Sequence, residues 1–168
     1  SPSLIITKNR TTAGIDWIVY HPALDSGKVL LLNSTLAQFV PGGGSYGTIT
    51  STTYDVTIGS NFGNLNATSD NYVAYCFAPV EGYSAMGQYS GNQNVSGPFV
   101  YTGFKVAMLW VKRTDVGADW FVWDKERGGS NFLCQNGSYA ENVTQNGSRS
   151  FPVDILSNGF KIRTDGTN

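Results

Sequence analysis

The chain has 168 residues, enough for one domain with a hydrophobic core. Its 40% hydrophobic content is typical of a folded protein, whereas its 14% charged content is well below the roughly 25% of most soluble domains. The net charge of −1 excludes a basic surface for nucleic acid or anionic membranes. Apolar stretches such as residues 106–111 are too short to span a membrane.

Short segments rich in β-branched and aromatic residues recur along the chain, separated by clusters of Gly, Asn, Ser and Asp. This pattern predicts an all-β sandwich or barrel. Two segments, 72–78 and 106–111, are apolar almost without interruption, so we expect them to be central strands that are covered on both faces, with Cys76 and Cys134 as buried free thiols. In chain order, the predicted strands are 4–9, 16–21, 28–33, 54–59, 72–78, 98–104, 106–113, 119–125, 131–136 and 151–156.

One ten-residue phrase occurs twice. RTTAGIDWIV begins at Arg10, and RTDVGADWFV begins at Arg113, with six of ten positions identical. The similarity continues into residues 29–35 and 132–138 at the same offset. We therefore predict one β-sandwich domain over residues 1–168, built from two repeats at about 1–79 and 98–168 and a linker at 80–97, with an internal pseudo-twofold repeat.

The repeated residue types indicate a turn that leads into a strand. The Gly permits the turn, the Asp accepts hydrogen bonds from local backbone amides, the Arg pairs with the Asp, and the Trp anchors the core. The alternative is that the Trp is a platform on which a sugar ring stacks. These residues are Arg10, Gly14, Asp16 and Trp17 in the first copy, and Arg113, Gly117, Asp119 and Trp120 in the second.

Two long loops are candidate binding surfaces. Residues 40–53 and 135–148 follow equivalent strands, and each contains one Tyr, Tyr46 or Tyr139, among Gly, Ser and Asn. Tyr in such surroundings combines a rigid aromatic surface with adaptable hydrogen bonding. Tyr83 and Tyr89 in the linker are further candidates; the alternative is that these are simply solvated loops.

Catalytic patterns are weak. Asp124 and Glu126 have the spacing of a glycosidase pair, but the intervening and following basic residues indicate a charged turn. His21 is the one histidine, so a Ser-His-Asp triad could form only around it. We predict no enzyme, no catalytic residue and no cofactor.

Metal and glycan sites have little support in the sequence. The chain has too few His and Cys for a zinc site, and no metal is predicted, although loop oxygens in residues 66–71 leave calcium open. Asn-Xaa-Ser/Thr triplets, which would be glycan acceptors in a secreted eukaryotic protein, begin at Asn33, Asn66, Asn94, Asn136, Asn142 and Asn146.

The phrase before each repeated Trp, the segment VEGYSAMGQYSGN at 80–92 and ILSNGFKIRT at 155–164 resemble a domain of marine phage and prophage tail or virion proteins. The resemblance covers essentially the whole chain. It implies a concanavalin A-like, laminin-G-like jelly-roll fold, a place on the virion surface and a symmetric homo-oligomer. It transfers no catalytic or ligand-binding residue.

We therefore expect a non-enzymatic tail-fibre or appendage module that binds a host-surface polysaccharide or receptor and contacts other virion proteins. The second hypothesis is a purely structural decoration or connector protein of the particle. Glycan hydrolysis is the third.

Overall fold

The computed structural model describes residues 2–41, 48–49, 54–55, 65, 67–144 and 146–163. The sheets of this part of the chain are all antiparallel, which confirms the predicted all-β class. The strands are β1 (Leu4–Asn9), β2 (Ile18–Tyr20), β3 (Leu30–Leu31), β4 (Thr48–Ile49), β5 (Tyr54–Asp55), β6 (Tyr72–Phe77), β7 (Phe99–Tyr101), β8 (Met108–Lys112), β9 (Trp120–Asp124), β10 (Leu133–Cys134), β11 (Val143–Thr144), β12 (Gly147–Ser148), β13 (Val153–Leu156) and β14 (Gly159–Ile162).

The chain folds as two compact units. The first contains residues 1–79 with 114–117, and the second contains 80–113 with 118–168. Residues 80–97, expected to be a linker, are therefore part of the second unit.

The first unit contains a four-stranded sheet in the order β3-β2-β1-β6. Its longest pairing runs from Leu4↔Phe77 to Asn9↔Tyr72. The side chains of Ile5 and Ile18 are fully buried on one face of this sheet. Their β-branched shape suits a pleated surface, and their burial supplies much of the driving force for this unit.

The second unit contains the sheets β10-β9-β8, β13-β14-β7 and β11-β12. Trp123 and Phe132 are its largest fully buried side chains. The indole N–H of Trp123 donates to the Phe151 carbonyl oxygen at 3.1 Å, so the ring is buried without an unpaired donor. The buried core comprises Val106, Leu109, Phe121, Trp123, Phe132, Cys134, Val153, Phe160 and Ile162.

The β1–β2–β3 and β8–β9–β10 meanders have matching registers. Val19↔Leu30 recurs as Val122↔Leu133, 103 residues later. Thr7↔Ile18 recurs as Val111↔Phe121. Here the residue on the second strand is again 103 positions later, whereas the residue on the first strand is 104 positions later. The connection at 8–17 therefore has ten residues, against nine at 112–120.

The expectation that segments 72–78 and 106–111 form central strands is wrong. Each of the corresponding strands, β6 and β8, is the edge strand of its sheet within the described residues. Cys76 is accordingly exposed rather than buried. Cys134 is buried as expected, and desolvation raises the pKa of its thiol to about 12.

Candidate functional site

An exposed aromatic group lies on one face of the first unit's sheet. Tyr75 and Phe77 project to the same side of β6 because alternate residues of a strand share a face, and they are 48% and 43% exposed. Trp17, directly before β2, stacks on Tyr75, with the ring centroids 6.3 Å apart and the planes 25° from parallel. We call Lys8, Trp17, Tyr75 and Phe77 the aromatic surface.

Lys8 fixes a positive charge beside the aromatic surface. Its Nζ lies 5.9 Å from the centroid of the Trp17 ring and donates to the carbonyl oxygen of Ile15. The ammonium therefore lies over the indole ring, close to the longest distance at which the ring quadrupole attracts a cation appreciably. A ligand at Trp17 would meet a flat apolar surface next to a hydrogen-bond donor.

A hydrogen-bond motif that is centred on an Asn holds the backbone at each repeated Trp. Asn33 Oδ1 accepts from the Trp17 N–H at 3.0 Å, and Asn33 Nδ2 donates to Asp16 Oδ1 at 2.8 Å. We call this arrangement the Asp–Asn–Trp motif. It recurs as Asp119, Asn136 and Trp120, with distances of 2.6 Å for Trp120 N–H to Asn136 and 2.7 Å for Asn136 to Asp119.

The motif corrects the role predicted for Asp16, which was to accept from a local backbone amide. The side chain of Asn33 binds that amide, and Asp16 orients Asn33. Sequence reasoning missed the two asparagines as turn residues, although Asn33 and Asn136 match at the same offset of 103 as the phrase itself.

The two repeated tryptophans lie in different surroundings. Trp120 is 6% exposed and its ring centroid is 5.7 Å from that of Trp110, whereas Trp17 is only half-buried. Trp110 occupies the register position of Ile6, so the adjacent strand places a ring beside Trp120. At Trp17 the adjacent strand supplies Ile6 instead, and the neighbouring ring is that of Tyr75 on β6. The expectation that Trp17 anchors the core as Trp120 does is therefore wrong.

The predicted Arg–Asp pairing is not found in the first copy. Among the described residues, Arg10 and Asp16 form no ion pair: Arg10 is exposed, and its backbone N–H donates to Asn71 at the end of the β1–β6 ladder. Arg113 is also exposed.

The structure does not gather the tyrosines that were predicted to bind a ligand. Tyr46 lies outside the described residues. Tyr83 is 81% exposed at the turn between Val80 and Ser84, Tyr139 is also exposed, and no ring contact joins these two in the described part of the chain. Tyr89 packs edge-on against Phe160 at the core, where burial raises the pKa of its hydroxyl to about 12. Tyr89 is therefore a packing residue rather than part of an open platform.

Asp124 stabilises a turn. Its Oδ1 accepts from the backbone N–H groups of Arg127 and Glu126 at 2.9 and 3.0 Å, and its Oδ2 pairs with the Arg127 guanidinium. The backbone hydrogen bond from Arg127, and then its charge, hold the pKa of this carboxyl below its usual range. A general acid needs a raised pKa, so Asp124 is poorly suited to protonate a glycosidic oxygen.

His21 also serves a turn. Its Nδ1 accepts from the backbone N–H of Ala23 at 3.0 Å, and burial lowers its pKa. A base that already accepts a backbone hydrogen bond and is partly shielded from solvent is not arranged to activate a serine.

The loop that could supply calcium ligands is tied to the first hairpin. Asp70 Oδ2 accepts from Asn9 Nδ2 at 2.6 Å and from Thr12 Oγ1 at 3.0 Å. Asn66 lies outside the described residues. In the part of the chain that the structure describes, no three His, Cys, Asp or Glu side chains come together as metal ligands, and no helix has the length and apolar character needed to cross a membrane.

Comparison with known proteins gives a family but no activity. No curated protein and no solved structure matched the chain. One family model matches residues 1–168, the full length of the chain. The chain therefore belongs to the family described as Domain of unknown function (DUF7483).

Proposed function

We propose that this domain is a non-enzymatic adhesion module that binds a host-surface polysaccharide through the aromatic surface. The stacked Trp17–Tyr75 pair is the observation that carries the proposal. A pyranose ring has an apolar face of C–H groups and a rim of hydroxyls. The C–H face packs on an aromatic ring, whose face is electron-rich, while Lys8 supplies a polar contact at the rim.

The exposure of this group is a second support. Burying an aromatic side chain contributes about 1.5–3 kcal/mol, so leaving Tyr75 and Phe77 open forgoes stability. Single exposed apolar residues are ordinary, but a cluster of them marks a binding surface. Here three rings and one ammonium lie together on one strand pair and the turn next to it.

We propose that the two units are the halves of one concanavalin A-like jelly-roll sandwich with an internal pseudo-twofold repeat, and that the domain is part of a homo-oligomer on a virion. Matching registers and the duplicated Asp–Asn–Trp motif support the repeat. The resemblance to phage virion domains is the reason to search for the ligand on a host cell.

Replacement of the indole tests the site. Screening of the purified domain on an array of bacterial polysaccharides should identify a ligand, and Trp17→Ala should then weaken its binding about fivefold or more, because stacking on one aromatic ring is worth about 1–3 kcal/mol. Tyr101→Ala, which removes an exposed aromatic of the second unit, is the matched control and should bind as wild type. Equal losses in both variants, or an array with no hits, would refute the proposal.

A structural role in the particle is the second candidate. It is favoured by apolar side chains that remain exposed on edge strands of the second unit, namely Phe99 and Tyr101 on β7 and Met108 on β8. Such edges suit coverage by neighbouring subunits. Light scattering together with the binding assay separates the candidates: a discrete species of fixed size that binds polysaccharide supports adhesion, whereas open-ended, concentration-dependent assembly without polysaccharide binding supports the structural role.

A further inference from the structure

We propose that β6 is a self-pairing edge, through which two copies of this chain join their first units into one continuous antiparallel sheet. The strand order of this joined sheet would be β3-β2-β1-β6 followed by β6-β1-β2-β3 of the second copy. The pairing is centred on Tyr75. It does not depend on glycan binding.

The backbone of β6 directs hydrogen-bonding groups away from β1. The Arg10 N–H donates to the Asn71 carbonyl at 2.8 Å, so these two residues form a hydrogen-bonded pair at the end of the β1–β6 ladder. In an antiparallel ladder such pairs alternate with pairs that are not hydrogen-bonded. Counting along the register, Ile6↔Tyr75 is a hydrogen-bonded pair, and the backbone N–H and C=O of Tyr75 point towards β1. The N–H and C=O groups of Ala74 and Cys76 therefore point away from β1. Nothing in the described part of the chain hydrogen-bonds to them. Another extended strand offers donors and acceptors at this spacing.

The composition of β6 leaves its edge unprotected. Proteins protect open edges with Lys, Pro, bulges or inward charges. Tyr72–Phe77 has the sequence YVAYCF, with no charged residue and no Pro. Four consecutive residues of it, Ala74 to Phe77, are exposed, so the strand is open to a partner on both faces as well as along its edge.

Strand β6 is also complementary to a second copy of itself. With Tyr75 opposite Tyr75 of the second copy, Ala74 lies opposite Cys76 and Val73 lies opposite Phe77. The outward N–H and C=O groups of residue 74 can then hydrogen-bond to those of residue 76 of the second copy. Every facing pair of side chains is uncharged, so no like charges oppose each other. A twofold axis relates the two strands, and the assembly closes as a dimer.

The edge strand of the second unit's first sheet, β8, is a poorer partner for β6. The Lys125 N–H donates to the Ala107 carbonyl, so the outward backbone groups of β8 belong to Met108 and Trp110. Residues that pair directly share a face of the sheet. Ala74 lies on the face of buried Ile5, whereas Met108 and Trp110 lie opposite the face of buried Leu109. A β6–β8 sheet would place the two cores on opposite sides, whereas self-pairing keeps them on one side.

Disulfide trapping tests the register. We would place Tyr75→Cys in a Cys76→Ser background and compare it with Tyr101→Cys in the same background, an exposed tyrosine on β7. In the proposed pairing the two residues 75 form the closer type of cross-strand pair, with Cα atoms about 4.5 Å apart, which a disulfide can span. Mild oxidation should link Tyr75→Cys into dimers at least tenfold faster than Tyr101→Cys. Cys134 is buried and should not compete.

Sedimentation of the full chain gives the complementary result. The wild type should be dimeric, and Ala74→Lys should be monomeric with an unchanged circular dichroism spectrum, because residue 74 is exposed and its backbone does not bond to β1. Cys76→Lys should do the same if Ala74→Lys fails to fold. A monomeric wild type, equal trapping at 75 and 101, or a dimer that survives both lysine variants would overturn the inference. A dimer that binds no glycan would leave it intact and refute only the adhesion proposal.

Discussion

Asn33 and Asn136 make the same hydrogen bonds, but they bind carboxylates that differ in burial. Asp119 is 3% exposed, whereas Asp16 is half-buried. An unpaired polar group costs most free energy when it is buried, because water cannot replace the lost partner. The duplicated motif should therefore contribute more to stability in the second unit than in the first.

Alanine substitution of each Asn measures this difference. Asn136→Ala removes a donor from buried Asp119 and an acceptor from the Trp120 N–H, and should lower the free energy of unfolding by about 1–3 kcal/mol. Asn33→Ala should cost about 1 kcal/mol or less, because water can solvate Asp16. Urea unfolding of both variants provides the comparison; equal losses would show that burial of the carboxylate does not set the cost.

At the level of elements, strand positions are easier to predict than strand neighbours. The β-branched and aromatic composition of Leu4–Asn9 or Trp120–Asp124 indicates a strand through local preference. Whether a strand is central or at an edge depends on pairing with distant segments, such as β1 with β6. A short apolar run does not indicate which segments will pair with it. This is why the sequence pattern misplaces β6 and β8.

The centre of the β13-β14-β7 sheet gives an element-level prediction. Gly159 begins β14 and pairs with Tyr101, and a Cβ at this position would overlap the backbone carbonyl oxygen of Val100. Gly159→Ala should therefore separate β14 from β7 and lower the free energy of unfolding by about 1–3 kcal/mol.

Gly87→Ala is the matched control, because among the described residues no heavy atom beyond its chain neighbours lies within 4 Å of a Cβ placed there. Its effect should stay within about 0.5 kcal/mol. Thermal or urea unfolding of the two variants suffices, and equal stability would contradict the close approach of Gly159 to Val100.

For the whole molecule, low charge, regular turn clusters and the duplicated phrase are enough to predict an all-β chain. The candidate site is harder to predict. The duplication of the whole phrase favours a core role for Trp17 over a sugar platform, because the residues around the ring are repeated along with it. Trp17 is half-buried because its neighbours are Tyr75, 58 residues away, and Ile6, which stands where the second unit has Trp110. Neither neighbour is part of the repeated phrase.

The single histidine gives the whole molecule a simple pH dependence near neutrality. Burial lowers the pKa of His21 in the folded state below its ordinary 6.5, so the unfolded chain binds the proton more readily. Stability should be level above about pH 6.5, fall as the pH drops below that value, and level off once the folded-state pKa is passed. Protonation would also remove the acceptor for the Ala23 N–H.

Urea unfolding at several pH values between about 5 and 7.5 tests this expectation. His21→Asn keeps an acceptor near Ala23 but cannot titrate, so its stability should change less over the same range. A wild-type slope that His21→Asn retains in full would assign the pH dependence to other groups.

The Asp–Asn–Trp motif also bears on how the protein ages. Asn136 is followed by Gly, a sequence that deamidates readily when the backbone nitrogen of the Gly can attack the side-chain amide. In the folded chain both amide atoms of Asn136 are bound and the Gly137 N–H donates to the Cys134 carbonyl at 3.3 Å, so attack requires this turn to open. The product, an aspartate facing Asp119, could not donate the lost hydrogen bond. Deamidation at Asn136 would therefore weaken this turn, and the fraction of chains deamidated at Asn136 in a stored sample would record how often the turn had opened.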